Sequence, residues 1–122
     1  MELENIIAAL EAAEGPDRKI DESIALQVGY VLSIVQGNGE PDRKVWWFGS
    51  PRTQVRLPTF TASVDRAIHL AELVDPNHIG AMVWEKGQWR AQMNNGAPCF
   101  ASTAAVAMCL AAMRELYSRS RK

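Results

Sequence analysis

Two histidines and two cysteines are the residues of this 122-residue chain best suited to bond-making chemistry, and their spacing limits what they can do. A general base needs a positioned partner and a substrate within hydrogen-bond reach. His69 has only Asp65, at i−4, on what the pattern makes a wet helical face, so it reads as a solvated helix histidine. His78 lies beyond Pro76 and reads as a loop residue that caps or lines a turn. Cys99 and Cys109 lack the short paired spacing of a zinc or redox site. Cys109 also falls in an alanine-rich run where a thiol packs as a small hydrophobe, so both are expected as free thiols. The stretch "GNG" at 37 to 39 lacks the lysine and hydroxyl residue of a phosphate-cradling loop. With no nucleophile, base or metal set converging, the sequence points away from an enzyme and calls for no cofactor and no metal.

Binding chemistry is better supplied. Trp46, Trp47, Trp84 and Trp89 sit in strand-like stretches and offer flat surfaces for a purine, while Arg56, Arg90 and Arg114 offer guanidinium forks for phosphate oxygens. Asn94 and Asn95 can read a base or ribose edge. The candidate ligand-binding set is therefore Trp84, Trp89, Arg90, Asn94, Asn95, Arg114 and Arg56. Each has a plain structural alternative: strand alternation sends some indoles into the core, Arg114 complements a helix dipole, and the asparagines make a turn. Trp89 and Arg90 are neighbours on a strand and must face opposite sides.

These residues need a frame. The length suits one domain with one core, residues 1–122. An apolar content of 48% with 22% charged residues is ordinary globular usage, which excludes a disordered or fibrous polymer. A net charge of −1 gives no general pull toward DNA, RNA or an anionic membrane. The first residues, "MELENIIAALEAAEG", interleave apolar positions with glutamates rather than forming a signal, and no run approaches a membrane span, so a cytoplasmic protein is expected.

Leu3, Ile6, Ile7 and Leu10 recur at helical spacing until Gly15-Pro16, and Ile20, Ile24, Val28 and Val31 follow, faltering at Gly29. This predicts a helical hairpin over residues 1–35, ahead of a sheet-and-helix core over 43–119. "KVWWFG" reads as a strand. In "RLPTFTASVDRAIHLAEL" Pro58 excludes helix before it and Thr61 or Ser63 caps a helix whose stripe is Val64, Ala67, Ile68, Ala71 and Val74, ending at Asp75-Pro76. "IGAMVWEKGQWRAQM" is a hairpin turning near Lys86-Gly87, and Asn94-Asn95-Gly96 is a second turn. From Ser102 or Thr103 a last helix carries Val106, Cys109, Leu110, Met113 and Tyr117, with Arg114, Arg119, Arg121 and Lys122 toward its C-terminus. The class is α+β: a small antiparallel sheet flanked by helices. Four tryptophans and five methionines leave adhesive surface to spare, so a homo-oligomer is expected.

Three stretches resemble one family. "YT-x-S-x-D-x-A", matched here by "FTASVDRA", the closing "GAPCFASTAAVAMCLAAMREL" and the early "LEAAEGPDRKIDESIALQVG" look like the phage ABA sandwich domain of small bacteriophage and prophage proteins. Phe60 stands where the family has tyrosine and Arg66 where it has alanine. The resemblance implies helical layers around a sheet, a phage context and no established chemistry. A looser analogy of size and composition links the chain to viral sponges that oppose Thoeris defence by sequestering nucleotide messengers in pockets shared between subunits. It implies a non-enzymatic sponge for a cyclic ADP-ribose isomer or a cyclic oligonucleotide. The alternative is a phage interaction module with no small ligand.

Overall fold

Three of the helices start on a side-chain oxygen that accepts an otherwise unpaired backbone N–H. Asp17 Oδ1 accepts from the N–H groups of Lys19 and Ile20, at 2.8 and 3.3 Å, and opens α2 (Arg18–Gln27). Ser63 accepts from Arg66 N–H and opens α3 (Val64–Val74); Thr103 accepts from Val106 N–H and opens α4 (Ala104–Ser120). The computed structural model describes residues 2–121; Met1 and Lys122, the last basic residue assigned to the final helix, lie outside them.

With α1 (Leu3–Ala12), the strands β1 (Val31–Val35), β2 (Arg43–Phe48), β3 (Thr53–Val55), β4 (Gly80–Glu85), β5 (Gln88–Met93) and β6 (Cys99–Ala101) complete an α+β fold. The N-terminal helix pair is present, and α1 and α2 touch. The strands divide into two antiparallel sheets, β1-β2-β3 and β4-β5-β6. The second helix is shorter than its spacing suggested. Gly29 takes φ +102°, a value that ends a helix at little cost only in glycine, and Val31 turns into β1 opposite Trp47. The β4–β5 hairpin turns at Lys86 and Gly87, both at positive φ, as a two-residue mirror-image turn demands.

α4 forms the centre. It touches α1 and α3 on one side and β4, β5 and β6 on the other, so every residue from Ala105 to Met113 is buried, not only the expected stripe. A helix covered all round must be apolar all round. Its alanines let sheet and helices approach closely. Against the first sheet, the buried Tyr30 ring stacks on Phe48 at 4.2 Å and meets Phe60 edge-on at 6.2 Å. Both cysteines are free and buried, and Cys109 donates its S–H to the Phe60 carbonyl at 3.2 Å. Burial raises the Cys109 thiol well above its ordinary value and, less strongly, raises Cys99 too, so both stay protonated at neutral pH.

Candidate functional site

Two surface grooves take four of the seven candidate residues. The first, about 440 Å³, lies between the C-terminal half of α4 and the β5–β6 turn, with Asn94, Asn95, Cys99, Arg114, Glu115 and Ser118 among its lining. Three sequence-selected residues therefore converge there: Asn94, Asn95 and Arg114. Arg114 Nη2 bonds Glu11 Oε2 at 2.7 Å and its Nη1 lies 3.7 Å from Cys99 Sγ. That ion pair is well exposed on both sides, 40% and 49%. An exposed pair of this kind is worth roughly 0.2–1 kcal/mol, so a ligand anion displaces Glu11 at little cost.

Asn94 is committed to the fold. It holds φ +54°, its Oδ1 accepts from Ile79 N–H at 3.0 Å, and its Nδ2 donates to Asp75 Oδ2 at 3.0 Å and Glu115 Oε1 at 3.3 Å. Asn95, at the exposed tip, is the amide left to meet a ligand. Arg119 closes the same network, donating to Asp75 at 2.6 Å and to Glu115 at 3.1 Å.

The Asn77 N–H bond, then the Asn94 amide and the Arg119 guanidinium, hold the Asp75 carboxyl below its ordinary value of 3.8. A depressed carboxyl adds stability that is complete above its unfolded value and is lost as pH falls through the folded one. Asp75→Asn is therefore expected to lower stability near neutrality and to change it little at about pH 2, which flattens the acid limb of the stability curve below about pH 4. Urea midpoints measured from about pH 6 down to about pH 2 check this.

Trp84, Trp89 and Arg90 line neither groove. Trp84 and Trp89 face each other across β4 and β5 with ring centroids 5.6 Å apart, an edge-to-face pair. Trp89 is half-buried against the core, whereas Trp84 is 57% exposed. Trp89 precedes Met93, which lines the first groove, by four strand residues, or about 13 Å at 3.3 Å each. The indoles are thus not a stacking wall for the Asn95–Arg114 groove within one chain. Arg90 faces away from Trp89, as alternation requires, and pairs with Glu85 at 3.2 Å. Trp46 is buried and Trp47 half-buried in the first sheet.

Arg56 belongs to the second groove, about 460 Å³, with Tyr30, Val55, Pro58, Thr59 and Arg66. This groove shares no residue with the first. His78 packs its Nδ1 3.0 Å from the Asp75 carbonyl, and His69 sits 4.0 Å from Glu72 rather than on Asp65. Among the described residues no cluster of His, Cys, Asp or Glu is arranged to hold a metal ion, and no helix is long and apolar enough to cross a membrane.

Asp21 and Arg18, which sequence reasoning passed over, form with Thr61 a lock behind the second groove. Asp21 is fully buried; its Oδ1 accepts from Thr61 N–H and Oγ1–H at 2.9 and 2.8 Å, and its Oδ2 from Arg18 at 2.8 Å. Arg18 also donates to the carbonyls of Pro58 and Leu57, at 3.1 and 3.0 Å. Thr61 thus serves this lock, leaving the α3 cap to Ser63. The signal in the sequence was an acid one turn into a helix at a position that the apolar pattern buries, facing a Pro-Thr-Phe-Thr loop.

Comparison with protein-family models, with curated proteins and with solved structures finds no match for this chain.

Proposed function

We propose that this chain binds a small nucleotide without transforming it and acts by sequestration: a phage-encoded sponge for a nucleotide messenger of bacterial anti-phage defence, a cyclic ADP-ribose isomer or a cyclic oligonucleotide. The observation that carries the reading is the first groove, where Asn95 and an exchangeable Arg114 border a concavity of about 440 Å³. That volume falls within the roughly 300–1,000 Å³ of small-ligand sites. Met93, Ala97 and Ala111 give it apolar area for a base or sugar, and Arg114 gives it a phosphate fork. The exposed Trp84 completes an aromatic wall only if a second copy brings it there, which ties the reading to self-association.

The test is mass spectrometry of small molecules released by heating protein purified from bacterial lysate, followed by titration calorimetry with the nucleotide found. Arg114→Ala is expected to weaken binding about 10- to 100-fold, the worth of a charge-assisted hydrogen bond, with the melting temperature little changed. Unaltered affinity in that variant, or a ligand-free protein whose melting ignores cyclic nucleotides, removes the sponge reading.

A second reading, an interaction module without a small ligand, is favoured by one observation: Ile34, Trp84 and Phe100 are 56%, 57% and 45% exposed on strands. A stable oligomer by light scattering that carries no nucleotide supports it.

A further inference from the structure

The second groove combines features that no structural role accounts for. Arg56 and Arg66 both line it, and among the described residues neither guanidinium has a hydrogen bond or ion pair. No carboxylate lines it either. Two like charges facing one concavity repel each other, and among the described residues no ion pair offsets this. The contrast with the first groove is direct, since there Glu115 lines the wall and Glu11 neutralises Arg114.

The other polar groups are donors as well. The Tyr30 ring is buried, yet among the described residues its hydroxyl has no partner, and it is not among the buried unsatisfied atoms, so it opens toward solvent at the groove. Burial raises the Tyr30 phenol above its ordinary value of 10.0, with Arg66 opposing, so it stays protonated and able to donate. Thr59 adds a second free hydroxyl. Two of the wall's own acceptors are occupied: the Leu57 and Pro58 carbonyls receive Arg18, which Asp21 holds in turn. The wall is therefore fixed before any ligand arrives, which lowers the ordering cost of binding.

We infer that this groove is a binding site for a dianionic phosphate group, gripped between the Arg56 and Arg66 guanidiniums and capped by the Tyr30 hydroxyl. Two forks and two hydroxyls facing a space that no carboxylate lines suit a ligand rich in acceptor oxygens and carrying two charges; a single carboxylate satisfies one fork and leaves the other unpaired. The chain's net charge of −1 makes this a local feature rather than a general attraction for anions. The inference is independent of the first groove and of the sponge reading.

The experiment is an amide NMR titration of the whole chain at low salt with inorganic phosphate, pyrophosphate and a nucleoside 5′-monophosphate. Saturable shifts clustered on Tyr30, Thr59 and Arg66 are expected. Arg56→Ala and Arg66→Ala should each weaken pyrophosphate about tenfold or more, and Arg66→Lys less, because the lysine keeps the charge and loses the fork. Both arginines are unpaired, so the variants should melt as the parent does. Arg114→Ala should leave pyrophosphate binding unchanged, which separates this site from the first groove. Tighter binding of the nucleotide than of pyrophosphate would assign the phosphate to a nucleotide, and tighter pyrophosphate to a free polyphosphate; either supports the site. Shifts that stay linear and scattered, or equal losses in Arg114→Ala, would overturn it.

Discussion

Replacing Asp21 with alanine is expected to lower the unfolding free energy by about 3–4 kcal/mol and the melting temperature by roughly 10–15 °C. The carboxylate is fully buried and receives three short hydrogen bonds, two from Thr61 and one from Arg18. Without it, the Thr61 N–H is left in a dry interior with no acceptor, and each such orphan costs about 1–3 kcal/mol. Arg18 loses its anchor and with it the grip on the Leu57 and Pro58 carbonyls. Asp21→Asn keeps the shape and one acceptor for Thr61, so it should retain part of the stability. Thermal unfolding by circular dichroism measures both. A shift under about 2 °C for Asp21→Ala would mean that the helix α2 to α3 loop connection contributes nothing.

Phe60→Ala should cost about 3–5 kcal/mol, as large-to-small changes of fully buried aromatics do. Phe60 heads the largest fully buried side chains, and its ring supports the edge of Tyr30. Phe60→Leu fills most of the space and should lose far less. The check is a urea series in which the midpoint moves while the slope stays constant; a changed slope would report an altered denatured state instead. The variants also bear on the second groove, because Tyr30 needs Phe60 behind it to keep its hydroxyl aimed outward.

How far the sequence revealed the molecule depended on whether a feature had a local pattern. α1, α3, α4 and the β4–β5 hairpin carry strong periodicity or turn chemistry, and they stand where it put them. β1 was hidden because Val28 and Val31 prolong the helical spacing of α2, and only the positive φ at Gly29 breaks it. β3 and β6 are three residues each, too short for alternation to register. The bonds from Thr61 to Asp21 join residues 40 positions apart, a pairing that no window along the chain contains.

The candidate site followed the same rule. Asn94, Asn95 and Arg114 come together because β5 and α4 pack directly against each other. Arg56 parts from them into a groove of its own, and Arg66, marked in the sequence only as standing where the resembled family has alanine, becomes its companion. Spacing along a helix says which side is wet. It does not say what the wet side looks at.

The position of α4 also constrains how the chain can reach this state. The two helices and the sheet that pack on it, α1, α3 and β4-β5-β6, all precede it in the order of synthesis, so a ribosome must hold them with their shared centre still missing. Until α4 emerges, the inner faces of α1, α3 and β4-β5-β6 have nothing between them, and a nascent chain at that stage is a ready client for a chaperone.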